Sequence, residues 1–353
     1  MQSFQPNWCS PPGETISELI TDKNLDVGSI CRTLSITAED YRKLIRGSLK
    51  INSQIALRLE SIFSVPKEFW LNREHRYRDS LSHQAEECET WLEQLPLNDL
   101  ISRGFIDKRL QKPDKVHQCL RFFGVRSIED WDTAYKSKLS EVAFKTSNSF
   151  DSTPLSIATW LRIAELQASE QRVTRFDRKL LENSLSEIRS LTQIKEPASF
   201  LPNLQGVLNK CGIKLAVVRG VKGCRASGAT FFEDKRAIVV MSFRHLTDDH
   251  FWFTLFHELG HLMLHHEGMT FIEGISDNTD QYEQDANKFA MDLLIPPEHQ
   301  GYLKTLTYKD LRKILKFARK LNISPGIVVG QLQHKRLIPH THLNKLKTRY
   351  KWQ

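Results

Sequence analysis

Residues 257–261 read HELGH, and this pentapeptide combines two possible metal ligands with a possible general base. On a helix, His257 and His261 lie four residues apart and share one face, so both imidazoles can bind one zinc ion. Glu258 is the next residue along, where its carboxylate can act as general base for the water that attacks a substrate. We therefore predict a zinc site with His257 and His261 as ligands and Glu258 as the catalytic base.

The residues around this motif predict a buried helix. Segment 251–264 reads FWFTLFHELGHLML and is almost entirely apolar. An unpaired glutamate in such a helix is costly unless metal and water occupy the site. His265 extends the row of histidines, but it lies about 12 Å from His257 along a straight helix, too far to bind the same ion. We therefore expect His265 and His266 at the surface or behind the metal ligands.

A catalytic zinc site needs a third protein ligand and an open fourth position. Segment 281–297, QYEQDANKFAMDLLIPP, has the periodicity of an amphipathic helix and ends at two prolines. Its Glu283 is the preferred third ligand, and Asp285 is the rival. Glu283 shares a helix face with Asn287 one turn later, and the Asn287 amide can accept the free ring N–H of either histidine and fix its tautomer.

The sequence after Gly206 predicts the strands that support the helix with the histidines. Residues 213–219, IKLAVVR, form a continuous β-branched run typical of a buried strand. The segments ASGATFF and RAIVVMSF, separated by three polar residues at 233–235, predict a hairpin. We therefore expect a small sheet immediately before the helix that carries the histidines.

At the other end of the chain, residues 14–64 predict four short helices separated by tight turns. The second and third are joined by residues 35–37 and match the helix-turn-helix arrangement, which binds DNA. Glu39 and Asp40 lie in the first turn of the predicted recognition helix, where carboxylates suit the helix dipole but repel phosphate. The predicted helix caps are Asp26, Thr37 and Asn52. The predicted DNA-contacting residues are Thr37, Arg42, Lys43, Arg46 and Lys50.

The formal net charge of +8 is concentrated near the carboxyl end of the chain. Residues 301–353 contain 13 basic residues and one acid, Asp310, whereas the preceding 300 residues contain 37 basic and 41 acidic residues. A second basic stretch, residues 41–58, has five basic residues and no acid. Each stretch can contact phosphate. The overall charge therefore reflects the carboxyl-terminal region more than the predicted DNA-binding helices.

The length of 353 residues predicts two or three domains. The sequence has no apolar stretch of about 18 residues, and its first residues lack a basic segment followed by an apolar run, so we expect neither a membrane anchor nor export. The six cysteines are scattered without a CxxC pair, which favours reduced thiols in the cytoplasm.

At three places the sequence resembles known families. The HELGH helix, the pattern Glu-x-x-Ala-Asn-x-Phe-Ala at 283–290 and the following LLIPP resemble the ImmA/IrrE family of bacterial and phage zinc metallopeptidases, as does NISPGIVVG at 322–330. Residues 12–71 are similar to the Xre/Cro-type helix-turn-helix of plasmid-maintenance antidote proteins. The resemblance implies a regulator that binds DNA and carries a zinc peptidase domain.

Together these patterns predict a multidomain protein. An all-α helix-turn-helix domain would occupy residues 1–80, a helical linker or interaction region 81–200, an α+β zincin-like peptidase domain with a small sheet 201–300, and a basic helical region 301–353. The expected partners are operator DNA, a protein substrate or a toxin or repressor partner, and a second copy of the chain, with no membrane.

The predicted function is a zinc-dependent endopeptidase fused to a DNA-binding transcriptional regulator. Its substrate would be a repressor or antitoxin-like protein in a stress response, a mobile element or a toxin–antitoxin system. The alternative is a non-proteolytic repressor or antitoxin whose zinc domain senses a signal or binds a partner. The intact Glu258 favours the peptidase, because a binding module needs metal ligands but no base.

Overall fold

The computed structural model describes residues 10–135, 153–265, 271–272 and 281–352, except for the side chains of residues 80–85. The architecture is multidomain α+β, mostly helical with one four-stranded mixed sheet in the described part. The chain divides into two compact units, Met1–Leu92 and Glu93–Gln353. Within the described ranges, no helix is both long enough and apolar enough to cross a membrane. The four domain ranges given above stay predictions.

The amino-terminal unit is a cluster of short helices around a small core. Its helices are α1 (Pro12–Asp22), α2 (Val27–Leu34), α3 (Ala38–Ile45), α4 (Ser53–Phe63) and α5 (Lys67–Gln94), which ends two residues beyond the unit. The three predicted caps are confirmed: Asp26, Thr37 and Asn52 each accept a hydrogen bond from the backbone N–H three residues later. The core includes Ile16, Ile30, Leu34, Leu44, Leu59, Phe63 and Trp70.

Two backbone features set the packing of these helices. Ser35 lies in the left-handed region, with φ of 53°, and closes α2 where a glycine is more usual. A Cβ atom on Gly13 would lie 2.3 Å from the Cα of Ile45, so α1 can approach the end of α3 only with glycine at this position.

The carboxyl-terminal unit contains the sheet. Its strands are β1 (Ile213–Val217), β2 (Gly228–Glu233), β3 (Arg236–Met241) and β4 (Phe271–Ile272), in the order β1-β3-β2-β4. Strand β1 runs parallel to β3, and the other two pairs are antiparallel. The predicted strand and hairpin are confirmed. The labelled helices are α6 (Leu97–Ser102), α7 (Lys112–Phe123), α8 (Pro154–Ser169), α9 (Arg178–Ser190), α10 (Pro197–Lys210), α11 (Asp248–Leu264), α12 (Gln281–Leu294), α13 (Gln300–Leu303), α14 (Leu311–Leu321) and α15 (Pro325–His334).

Helix α11 covers one face of the sheet, and α8 packs against β1 and β3. The Trp160 indole N–H of α8 donates to the Val218 carbonyl at 3.1 Å. Just after α8, the Gln171 amide both donates to the Leu215 carbonyl at 2.7 Å and accepts the Leu215 N–H at 3.1 Å. Gln171 thus satisfies an edge of β1 that would otherwise be unpaired. Part of the region expected to be a linker therefore belongs to the core of this unit.

Residues 348–350, near the carboxyl end of the chain, are hydrogen-bonded to the start of α11. The Tyr350 N–H donates to the Leu246 carbonyl at 2.8 Å, and the Asp248 N–H donates to the Thr348 carbonyl at 3.0 Å. The buried Asp248 carboxylate accepts the Thr348 N–H at 3.0 Å and the Ser324 hydroxyl at the start of α15. The first turn of α11 is therefore joined to two segments that follow it by more than 70 residues.

We predict a pH dependence of stability from Asp248. Burial raises the pKa of its carboxyl to about 6, above the value of about 3.9 for an unfolded chain. Between about pH 4 and pH 6 the folded state therefore retains a proton that the unfolded state releases. The free energy of unfolding should fall as pH rises through this window, by about 2–3 kcal/mol in total.

Asp248→Asn should remove this contribution, because the amide is uncharged in both states. Urea unfolding of the wild type and the variant between pH 4 and pH 7 would measure the difference in slope. Asp132→Asn, at an exposed position, is the matched control and should leave the slope unchanged. Equal slopes for the wild type and Asp248→Asn would contradict the prediction.

Candidate metal centre

The site is built where α11 and α12 pack closely together. A Cβ atom on Gly260 would lie 3.2 Å from the Cα of Ala286 and 3.1 Å from a ring carbon of Phe289. Small residues at Gly260 and Ala286 therefore let the two backbones approach. Glu283 lies almost one turn before Ala286, so the same close approach carries its carboxylate to the histidines of α11.

His257, His261 and Glu283 converge in the interior of the unit. The two Nε2 atoms lie 3.0 Å apart, and Glu283 Oε2 lies 3.1 Å from the Nε2 of His257. Glu283 Oε1 lies 3.7 Å from the Nε2 of His261. All three side chains are buried, and their ligand atoms lie within 4.8 Å of one another. The described structure thus brings together the three residues that the sequence proposes as a ligand set.

These donors fit a zinc ion. Two nitrogens bound to a tetrahedral zinc at about 2.05 Å lie about 3.3 Å apart, close to the 3.0 Å between the imidazoles. Glu283 Oε1 is buried and accepts no hydrogen bond from the described residues, which is costly for a carboxylate unless a cation is adjacent. Two histidines and one glutamate are also the protein ligands of one class of catalytic zinc site.

The rival ligand Asp285 does not join this group. Its carboxylate accepts a hydrogen bond from the Gln281 side-chain amide at 2.8 Å. Asp285 is two residues from Glu283, so it projects from a different face of α12. The structure therefore favours Glu283 over Asp285 as the acidic ligand.

Hydrogen bonds behind the histidines direct their Nε2 atoms into the site. Asn287 Oδ1 lies 3.1 Å from His257 Nδ1, and an amide oxygen can only accept, so that Nδ1 carries the proton. The Nδ1 of the buried His265 lies 3.0 Å from His261 Nδ1. The Phe271 ring of β4 stacks on His261 with ring centroids 4.0 Å apart. His265 thus lies behind a ligand, and His266 falls outside the described residues.

Glu258 is fully buried on the same helix as His257 and His261, and β2 holds its carboxylate. The Thr230 hydroxyl donates to Glu258 Oε2 at 2.6 Å. A Cβ atom on Gly228 would lie 2.5 Å from Glu258 Oε1, so a larger residue here would displace the carboxylate from its present position. Neither Thr230 nor Gly228 was among the residues predicted for the site. The available signal was a threonine and a glycine within a strand that is otherwise largely apolar.

The register of the sheet explains why Thr230 reaches Glu258. Thr230 is paired with Val239 on β3 and with Phe271 on β4, and Val239 is paired with Leu215 on β1. These four residues form one row across the sheet, and Leu215 and Val239 belong to the core that includes α11. The same row therefore supplies the hydroxyl for Glu258 and the ring that stacks on His261.

The residues predicted to contact DNA lie in the amino-terminal unit, and two of them have structural partners there. The Thr37 hydroxyl caps α3 by accepting the Asp40 N–H at 3.0 Å. Lys43 Nζ lies 2.9 Å from a Glu39 carboxylate oxygen. The remaining three are exposed and form no ion pair within the described residues: Arg42, Arg46 and Lys50. Their contact with DNA stays a prediction.

The comparisons with known proteins agree with this site. Residues 226–332 match the family model of the IrrE N-terminal-like domain, a peptidase M78 domain. The matched range contains β2, β3, α11 and α12 and therefore the whole candidate metal centre. A search of curated proteins found no match to the chain. Over residues 226–332, the chain is therefore similar to the ImmA/IrrE family of metallopeptidases, as the HELGH motif and the segment after it predict.

Proposed function

We propose that the carboxyl-terminal unit is a zinc-dependent endopeptidase in which His257, His261 and Glu283 hold the metal. The observation that carries this proposal is the convergence of the three buried ligand atoms, two of them on the helix that also carries the buried Glu258. The match of residues 226–332 to a peptidase domain supports it. When bound, zinc would supply Lewis-acid activation of water and of the peptide carbonyl.

The chain's own residues would then move the proton. Glu258 takes a proton from the attacking water and passes it to the leaving amine nitrogen. Thr230 holds Oε2 of that carboxylate and so limits its rotation. Asn287 keeps the proton of His257 on Nδ1, which leaves the Nε2 lone pair directed at the metal. The buried surroundings of Glu258 exclude bulk water from the proton transfer.

The proposed substrate is a repressor or antitoxin-like protein, in line with the family resemblance of the sequence. We further propose that the amino-terminal unit binds operator DNA through α3, with Arg42, Arg46 and Lys50 facing the phosphates. A palindromic operator would require a second copy of the chain. The alternative is a regulator that binds zinc without cleaving a protein. Cleavage of a substrate that is lost when the base Glu258 is replaced would favour the peptidase over this alternative.

Glu258→Gln should retain zinc and lose peptidase activity. Glutamine keeps the shape of the side chain and can accept the Thr230 hydrogen bond, but it cannot take a proton from water. We expect the cleavage rate to fall by at least about 10²-fold. The test combines metal analysis of the purified variant with incubation against proteins encoded by the neighbouring genes. Cleavage at the wild-type rate by a zinc-loaded variant free of host proteases would rule out this mechanism.

Zinc affinity should separate the roles of three residues on α12. Glu283→Gln removes a proposed ligand charge and should weaken zinc binding by more than about 100-fold. Asn287→Ala removes only the partner of His257 and should weaken it by about 10–100-fold. Asp285→Asn is the matched control and should bind zinc like the wild type. Competition with a chromogenic chelator measures all three affinities. A larger loss for Asp285→Asn than for Glu283→Gln would reverse the ligand assignment.

DNA binding should depend on Arg42 of α3 and on Arg46 just after it, which form no ion pair within the described residues. Arg42→Ala combined with Arg46→Ala removes two proposed phosphate contacts, so the slope of log affinity against log salt should become shallower by about 2. Lys43→Ala should change the slope less, because Glu39 already pairs with that lysine. Gel shifts over a salt series, with DNA from upstream of the protein's own gene, provide the measurement. Identical salt slopes for the wild type and the double variant would remove the assignment.

A further inference from the structure

A second basic surface lies on α14 in the carboxyl-terminal unit. This helix of 11 residues has five basic residues and no acid. Its apolar side chains, which include Ile314, Phe317 and Leu321, are buried in the core of the unit. The five cations are exposed on the rest of the helix surface, here called the basic face of α14: Arg312, Lys313, Lys316, Arg319 and Lys320.

Four of these five cations have no ion-pair partner among the described residues. Lys313 Nζ lies 2.8 Å from Asp310, which is the single acid in residues 301–353. By contrast, Lys43 of α3 is already paired with Glu39. The basic face of α14 therefore offers more unpaired positive charge than the helix that the sequence predicts to read DNA.

Helix stability explains only part of this arrangement, because Arg319 and Lys320 lie in the last turn of α14, where the helix dipole favours cations, whereas the other three cations gain nothing from it. Arg312 and Lys313 lie in the first turn of α14, where the helix dipole disfavours cations. Lys316 lies four residues from both Arg312 and Lys320, and like charges at that spacing repel each other. A helix shaped by stability alone would alternate acidic and basic residues on its exposed face. The pattern is better explained by an anionic ligand.

The geometry of the basic face fits a nucleic-acid duplex. Arg312 and Lys320 are eight residues apart, which spans about 12 Å of helix, and a duplex presents about seven phosphate charges over that length. The apolar residues of α14 are packed in the core and cannot insert into a lipid bilayer. Exposed Tyr302, whose ring lies 5.0 Å from that of Phe317, adds a hydroxyl that can donate to phosphate.

We propose that the basic face of α14 binds the phosphate backbone of duplex DNA without reading its sequence. This contact is independent of the zinc site and of α3. It would add sequence-independent affinity to the peptidase unit itself.

The test uses the full-length protein and a 30-base-pair duplex of mixed sequence, followed by fluorescence anisotropy between 50 and 200 mM salt. The first variant combines Arg312→Gln, Lys316→Gln, Arg319→Gln and Lys320→Gln. Its slope of log affinity against log salt should be shallower than the wild-type slope by about 3, and its affinity at 50 mM salt should be at least about 10-fold weaker. The control combines Lys335→Gln, Arg336→Gln, Lys345→Gln and Lys351→Gln, which removes the same charge from the same segment and should keep a slope near that of the wild type.

Two further measurements separate this proposal from the others. The melting temperature of the α14 variant should be unchanged or higher, because its repulsive pairs are gone. The α14 effect should persist after zinc is removed with a chelator and in the Arg42→Ala, Arg46→Ala background, so failure of the zinc or α3 assignments leaves it intact. Equal losses in the two quadruple variants would overturn the proposal. So would binding to phosphatidylserine vesicles or polyglutamate that depends on α14 while binding to DNA does not.

Discussion

The contact between α11 and α12 at Gly260 and Ala286 is the constraint on which the metal centre depends. The two backbones come so close that a methyl group on Gly260 would press against the Cα of Ala286. This proximity brings Glu283 to within 3.1 Å of His257, although the two residues are 26 positions apart in the chain. The glycine inside HELGH therefore allows close packing, and this packing brings the acidic member of the candidate ligand group to the histidines.

Buried polar groups need hydrogen-bond partners, and the fold supplies several of them here from different elements. Asn287 comes from α12, His265 from the end of α11 and Thr230 from β2. Burial makes an unsatisfied hydrogen-bonding group expensive, so these partners stabilise one arrangement of the ligands. The sheet is therefore more than a support for α11, because one row of its side chains contacts both Glu258 and His261.

The segments before and after residues 226–332 also contribute to the fold of the second unit. Gln171, before the matched range, closes an edge of β1, and Thr348, after it, binds the carboxylate of Asp248 at the start of α11 together with Ser324 of the matched range. The basic carboxyl-terminal region is consequently a structural part of the second unit. Five of its 13 basic residues nevertheless lie on one exposed face of α14, which has no acidic residue. The net charge of +8 therefore comes from the carboxyl-terminal region and is not spread evenly along the chain.

Features that depend on local periodicity could be predicted from the order of the residues alone. The four-residue spacing of His257 and His261, the hairpin and the caps of α2, α3 and α4 follow from helix and strand geometry over a few residues. The folded chain was needed to show that Glu283 rather than Asp285 meets the histidines, that His265 and Phe271 contact His261, and that Thr230 contacts Glu258. Those contacts depend on the register of the sheet and on how closely two helices approach. Both are set by packing between distant residues, which leaves no periodic pattern in the chain.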